Sequence, residues 1–458
     1  MKTFIIKTLG CKVNQFESES IAAALIAEGW GLAGENQPAD LCVVNTCTVT
    51  SRGAMQSRQT LRRLRREHPG AMVLATGCYA TLNADDLKAT GAVDVIVHHR
   101  AKYQIARIVQ SRITSFKAGN PVRVFDEGER GALFTGLCPA AVEGFRTRAF
   151  LRIQDGCNAF CAYCIVPHAR GPSQSMAPDR VLDAVEGLAA EGRKEVVLAG
   201  IHLGLYGADL SPPLSLPDLL ETMDRRRIIP RVRLSSIEPR ELTDGLLDLA
   251  ARSGMICDHF HMPLQSGSDP VLKRMGRPYT AEFYANRVAA VKKRMPCAAI
   301  GADVLVGFPG EDQTLFEQTF DLIRELPLSY LHVFPFSPRP GTPAFDMEGR
   351  ADAATVRDRC AALRELGAEK KKAFCADNRN RELTALVEET PDRETGLLKA
   401  VTANYLSVLF SGPGSLKGRL VKVRIGDAVD GLRVTGTLVS KSVDGSRQVP
   451  GDNGGMDG

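Results

Sequence analysis

Short apolar runs alternate with helix-length amphipathic stretches over residues 1–100: positions 4–9, 41–46 and 72–76 predict strands, and 21–27, 55–64 and 82–90 predict helices. Strands separated in this way form a parallel sheet covered by helices. Each strand runs into a cysteine, Cys11 in LGCKVNQ, Cys47 in NTCTVT and Cys78 in TGCYA. The carboxyl ends of parallel strands share one edge, where loops build sites. Thiols 36 and 31 residues apart are therefore predicted to meet.

Residues 101–145 read as a connecting helix and a linker, least patterned in AGNPVRVFDEGERG. Six strand-like runs follow, 150–154, 195–199, 232–236, 258–263, 299–306 and 330–336, again separated by helical patterns. Six βα units predict an incomplete (β/α) barrel, since the full one has eight. After KKKAFCADNRNR only strands are predicted, at 382–388, 397–403, 405–410, 420–425 and 432–439, a small closed barrel of the OB type. The fold class is thus α/β: an N-terminal parallel α/β sheet domain, a partial (β/α)6 TIM-like barrel and a small C-terminal all-β barrel. The tail KSVDGSRQVPGDNGGMDG is polar and Gly-rich, and predicted to be disordered.

With 458 residues, 44% hydrophobic and 24% charged, the chain can bury several cores, which excludes disorder as the main state. No run approaches ~18 consecutive apolar residues, and MKTFIIKTLGCK turns polar too soon for a secretory signal, so a soluble cytosolic protein is expected. A net charge of +5 names no partner; the distribution of basic residues does more. In a reducing compartment, grouped members of the twelve cysteines are metal ligands or redox groups sooner than disulfides.

CNAFCAYC places Cys157, Cys161 and Cys164 in C-x-x-x-C-x-x-C spacing directly after a predicted strand. Three close thiolates suit a [4Fe–4S] cluster with one iron left open; a structural zinc cage wants four ligands, with paired spacing. This motif at the head of a six-unit barrel resembles the radical S-adenosylmethionine (SAM) superfamily. Together with LGCKVNQFES, NTCTVT and GCYA, the chain resembles the methylthiotransferases, in the branch that modifies threonylcarbamoyladenosine in tRNA.

The resemblance implies a second, auxiliary [4Fe–4S] cluster on Cys11, Cys47 and Cys78, with SAM bound at the open iron of the Cys157, Cys161 and Cys164 cluster. Cys42, Cys138, Cys257, Cys297, Cys360 and Cys375 lack a partner at metal spacing and read as core residues. For SAM the resemblance implies Tyr163, Gly200, Ser235, Ser236 and Glu238, then Gln265, Asp303 and Val306 from HMPLQSGSD and GADVLVGFPGE. Gly200 also fits a strand-end turn, and RLSSIEP a cap or loop. The chain departs from the family pattern in that Arg170 is followed by GPSQSM instead of further basic residues, which weakens an expected local phosphate or substrate contact but not cluster binding.

Two basic features bear on RNA. Arg52, Arg58, Arg62, Arg63, Arg65 and Arg66 share one predicted helix, and Arg58, Arg62 and Arg66 lie on one face at i, i+4 spacing, either a solvated face or a stripe that follows phosphates. The terminal barrel resembles the TRAM domain, with basic positions at Lys370–Lys372, Arg379, Arg381, Lys417, Arg419, Lys422 and Arg424. The domains expected are 1–115 with the auxiliary cluster, a linker at 116–142, a radical SAM core at 143–374, a TRAM domain at 378–441 and a tail at 442–458.

Carbon 2 of adenine carries an unactivated C–H bond beyond the reach of acid–base side chains, so cofactors must supply the reactivity. The resemblance implies reductive SAM cleavage to methionine and a 5′-deoxyadenosyl radical, sulfur from the auxiliary cluster, and a methyl group from a second SAM. The implied partners are tRNA carrying threonylcarbamoyladenosine at position 37 and a reductant protein such as flavodoxin or ferredoxin, with the sulfur donor unknown and no membrane. Methylthiolation of isopentenyladenosine or of a ribosomal protein would share both clusters. A non-catalytic iron–sulfur RNA-binding regulator would share the cysteines without needing SAM.

Overall fold

The computed structural model describes residues 1–34, 37–113, 116, 121–128 and 147–440. Cys138, most of 116–142 and the tail 442–458 lie outside the described residues. The first sheet contains β1 (Thr3–Thr8), β2 (Gly31–Leu32), β3 (Leu41–Thr46), β4 (Met72–Gly77), β5 (Val95–Val97) and β6 (Arg123–Phe125), all parallel, in the order β2-β1-β3-β4-β5-β6. Chain order reverses between β1 and β3, and at such a switch point loops diverge and leave a crevice. Cys11 and Cys47 follow these two strands, and Cys78 follows the adjacent β4.

β6 corrects the sequence reading. It lies inside AGNPVRVFDEGERG, read as linker, yet Val95 to Val97 pair in register with Arg123 to Phe125, so the sheet domain extends past residue 115. A three-residue edge strand with Arg123 and Val124 exposed has too little burial to leave a pattern in the chain.

β7 (Ala149–Arg152) leads into a short antiparallel pair, β8 (Gln154–Asp155) and β9 (Gln174–Ser175), which brackets the cysteine loop. β10 (Glu195–Ala199) and β11 (Arg231–Leu234) join β7 in a parallel sheet of three, and β12 (His259–His261), β13 (Ala299–Val306) and β14 (Tyr330–Pro335) form another. The parallel bridges Val232↔Ile256 and Ser236↔His261 join the two into six staves, with β7 and β14 at the edges. Alternation sorts the side chains: Val232, Leu234, Phe260, Ile300, Ala302 and Val304 pack in the apolar core with helix residues such as Leu246, Val288 and Ile323. Arg233, His259, His261, Asp303, Tyr330 and His332 instead interact across strands in a polar lumen.

The long helix Ala353–Asp377 leads to β15 (Glu382–Val387), β16 (Leu398–Thr402), β17 (Ser407–Phe410), β18 (Leu420–Ala428) and β19 (Arg433–Ser440), a closed barrel in the order β15-β16-β17-β19-β18. It seats on the amino-terminal ends of the parallel strands. Arg231 donates to the Val401 carbonyl and Arg233 to those of Thr402 and Ala403, while both guanidiniums pair with Glu195 at 2.8 Å. Tyr405 stacks on His259 with ring centroids 4.2 Å apart. The small barrel closes the floor and leaves the carboxyl ends of the strands for the site.

Burial alone would raise the Glu195 carboxyl, but Arg231 and Arg233 hold it down at about 2. The stabilisation this brings is complete above the ordinary value of 4.5 and is lost as pH falls towards 2. Replacing Glu195 by Ala strands two buried guanidiniums and is expected to cost about 3–5 kcal/mol. Urea unfolding checks this, and acid titration should show wild type losing its margin over Glu195→Gln between pH 4.5 and 2.

Candidate functional site

The first thiol triad is assembled by buried polar side chains. Asn14 Nδ2 donates to the Leu9 carbonyl at 2.7 Å and the Thr46 carbonyl at 3.2 Å, tying together the loops after β1 and β3. Thr46 Oγ1 donates to the Thr76 carbonyl at 2.6 Å and accepts from the Ala80 N–H at 3.0 Å, which adds the loop after β4. Gly10 and Gly77 hold φ of +98° and +96°, and a Cβ on Gly77 would lie 2.5 Å from Asn45 Oδ1 and closer still to the Thr46 carbonyl. Burial, opposed by the Val49 N–H and reinforced by Cys78 and Cys11, pushes the Cys47 thiol up to about 11. Burial also raises Cys78, with Arg170 and Lys102 pulling the other way. The tied loops bring Cys11, Cys47 and Cys78 to one edge of the sheet. Cys42 takes the core role read for it, packed with Leu61 and Val73 and pushed up to about 12 by burial.

The second triad lies in the loop bracketed by β8 and β9. The Cys157 N–H donates to the Gly171 carbonyl at 3.1 Å, the Ala162 N–H to Met275 at 2.9 Å, and the Cys164 N–H to Cys161 at 2.9 Å. Each sulfur meets a different environment. Burial works to raise Cys157, but His202 Nδ1 at 3.5 Å and the Ala159 N–H at 3.4 Å leave its thiol below the ordinary value. Arg277 Nη1 donates to Cys161 Sγ at 3.3 Å. Burial pushes Cys164 up to about 12. Each triad offers three thiols, which suits three irons of a cluster with one iron open.

Between the triads lies a buried charge cluster that sequence reasoning missed. Glu17 Oε1 takes Arg152 and Arg170 at 3.0 Å each, and Glu17 also pairs with Lys102. Asp155 takes the same two arginines at 2.7 and 2.9 Å and has His99 at 3.3 Å. Burial alone would raise both carboxyls; Arg170 and its neighbours hold them well below the carboxylate range. Arg170, noted in the sequence only for the lack of further basic residues after it, is a buried joint between the two modules, with Nη2 donating to Asn14 Oδ1 at 2.6 Å. The available signal was a charged residue embedded in small and apolar neighbours, VPHARGP.

The SAM candidates fall at the carboxyl ends of the barrel strands or just beyond. A Cβ on Gly200 would lie 2.9 Å from Gln154 Oε1, the same oxygen that takes the His202 N–H at 2.8 Å, so the close turn requires glycine. Ser235 Oγ is buried and has no hydrogen-bond partner among the described residues. Ser236 Oγ meets His261 Nδ1 at 2.8 Å, and Glu238 pairs with Arg277. Gln265 adopts φ +65° and bridges to Val304, and Val306 is buried. Asp303 lies 3.1 Å from both His261 and His332, lower in the lumen. Tyr163 packs with Met275 and Phe308 beside the cysteine loop.

The arginine-rich helix is Ser51–Glu67, capped by Thr50 Oγ1 accepting from the Gly53 N–H at 3.0 Å. Arg62 and Arg66 are exposed, whereas Arg65 is committed to Asp94 and Arg58 donates to Tyr79 Oη at 2.5 Å. Arg58, Tyr79 and Thr48 line a cavity of about 450 Å³ with Ile165, His168 and Arg339, so it opens between the loops of the two triads. Arg339 Nε and Nη2 are buried there without hydrogen-bond partners. Around the small barrel, several basic positions are already engaged: Lys370 on the Arg324 and Leu326 carbonyls, Arg379 on Asp427, and Arg424 on Glu382.

A six-stave parallel barrel with three thiols in the loop after its first strand defines a radical SAM protein. The Radical SAM superfamily matches residues 151–323, and residues 3–98 match Uncharacterized protein family UPF0004. Among solved structures, the radical S-adenosylmethionine methyltransferase TsrM from Kitasatospora setae shares the fold, with TM-score 0.55 and 16% identity over 75% of this chain and 74% of that one. The threonylcarbamoyladenosine tRNA methylthiotransferase of Bacillus subtilis is 38% identical over 93% of this chain and 94% of its own length. That of Aquifex aeolicus is 36% identical over 92% and 99%, and the tRNA-2-methylthio-N(6)-dimethylallyladenosine synthase of Pelotomaculum thermopropionicum 33% identical over 93% and 95%. The chain belongs to the family of the threonylcarbamoyladenosine tRNA methylthiotransferases.

Gly77→Ala tests the first triad without touching a thiol. Its Cβ would strike the end of β3 just before Cys47, so the variant is expected to fold yet bind roughly half the iron of wild type after anaerobic reconstitution, as measured by iron and sulfide assay.

Proposed function

We propose that this protein converts N6-threonylcarbamoyladenosine at tRNA position 37 into its 2-methylthio derivative. The observation that carries the proposal is the pairing of two thiol triads on facing modules, locked together by the Glu17–Arg170 cluster, in a chain with close relatives named for that reaction. Cys157, Cys161 and Cys164 would hold the cluster that binds SAM, and Cys11, Cys47 and Cys78 the auxiliary one. Bound there, the clusters and SAM supply one-electron cleavage, sulfur and a methyl group.

The chain's own residues hold and orient. Gly200 admits a ligand against the backbone, and the unpartnered Ser235 hydroxyl supplies a polar contact to SAM. Arg277 joins Glu238 to the Cys161 sulfur, so these two residues position the cysteine loop against the strand ends. His202, raised to about 9 by Cys157 and Glu241 despite burial, carries a proton at neutral pH and hydrogen-bonds the Cys157 sulfur. Tyr163 packs beside the loop, while Ser236, Gln265, Asp303 and Val306 shape the wall below. Arg58, Arg62 and Arg66 lead RNA towards the cavity between the triads. A small reductant protein such as flavodoxin or ferredoxin would deliver the electron. Among the described residues no helix is long and apolar enough to cross a membrane, in keeping with a cytoplasmic site of action on tRNA.

The first test is mass spectrometry of digested tRNA from cells with and without the gene. Loss of the 2-methylthio nucleoside with accumulation of its precursor is expected, and an unchanged profile would remove tRNA as the substrate. Cys161→Ala should abolish 5′-deoxyadenosine release, whereas Cys47→Ala should retain it and form no methylthio product. Replacing Arg62 and Arg66 by Gln should weaken tRNA binding and reduce the slope of log K against log salt by about 1–2. An unchanged slope would make that face merely solvated.

A further inference from the structure

Basic side chains gather where the first helix, the barrel lumen and the small barrel meet, and most are already committed. Arg233 is held by Glu195 and by the carbonyls of Thr402 and Ala403. Arg148 lies 5.9 Å from the Tyr405 ring centroid and pairs with Glu388 at 3.6 Å.

Lys12 differs. It follows Cys11 directly, opens the helix Lys12–Ala27 and is half-buried. Burial pulls its ammonium below the ordinary value, and Tyr405, Arg233, Arg148 and Asp303 are the charged groups near enough to act on it, so it borders the lumen that Arg233 and Asp303 line. Yet among the described residues it forms no ion pair and no hydrogen bond. Asp303, the lumen carboxylate near it, is held by His261 and His332 at 3.1 Å each. A cation withdrawn from water beside two other cations is unfavourable unless an anion arrives to pair with it.

The proposed substrate brings such an anion. Threonine joined to adenine N6 through its amino nitrogen and a carbamoyl group keeps a free α-carboxylate on the N6 arm. The dimethylallyl arm named for other relatives is apolar and would leave the ammonium unpaired. We propose that Lys12 receives the carboxylate of the threonylcarbamoyl arm and so selects this substrate, an inference that rests on the function proposed above. The stacked rings of His259, Tyr330 and Tyr405 wall the same space, giving the arm an aromatic surface while its carboxylate takes the ammonium.

The test compares two synthetic anticodon stem-loops that differ only in carrying the N6 arm as the free carboxylate or as its carboxamide. Equilibrium binding and single-turnover methylthiolation are measured for wild type, Lys12→Met and Lys12→Arg, each checked for iron content and 5′-deoxyadenosine release. Wild type should prefer the carboxylate by roughly 10- to 100-fold, Lys12→Met should lose that preference, and Lys12→Arg should keep part of it. A wild type that treats both RNAs alike overturns the proposal with no variant needed, as does a Lys12→Met protein that retains the preference. A wild type that methylthiolates neither RNA overturns the substrate reading and this inference with it. A wild type that modifies both equally overturns this inference alone.

Discussion

The interaction on which the rest depends is the buried pairing of Glu17 and Asp155 with Arg152, Arg170, Lys102 and His99. Two carboxylates taken out of water are tolerable only where cations and donors surround them, and here part of that surround crosses between the modules: Arg152 and Arg170 reach Glu17, and His99 reaches Asp155. Glu17 sits on the helix that starts at the first thiol triad, and Arg170 ends the short helix that follows the second. Sliding one module against the other would take Arg152 and Arg170 from Glu17 and His99 from Asp155. The relative position of the two triads is therefore set by electrostatic necessity, where an apolar interface would tolerate sliding.

That joint also explains what could and could not be read from the chain. β3, β10 and β13 match their predicted spans because most of their positions are apolar and buried, with Glu195 and Asp303 the charged exceptions. The helix Lys12–Ala27 was legible only in its second half, since its first half buries Asn14, Glu17, Ser18 and Ser20 and so breaks the apolar period. The predicted helix at 82–90 divides into Cys78–Leu82 and Ala84–Lys88 around Asn83. The six cysteines were legible because each ends a strand or sits in a tight motif. Arg170, Arg277 and His202 were not, because a single charged residue gives no periodic signal and acts only through partners distant in sequence.

The three modules divide the work by the end of the barrel they occupy. The carboxyl ends of the strands carry the cysteine loop, Gly200 and Ser235. The floor is closed by the small barrel, and the helix after Cys11 adds a lysine to the lumen between. The cysteine loop, the lysine proposed to take the substrate arm and the small-barrel floor thus follow one another down one polar interior, with apolar side chains turned outward to the helices.

Much of the floor joint is made to the backbone. Arg231 and Arg233 take the carbonyls of Val401, Thr402 and Ala403, which every amino acid offers alike. The small barrel can therefore exchange most of its outward side chains over evolutionary time without loosening its seat. Its outward surface is free to drift, while the chamber above keeps its geometry.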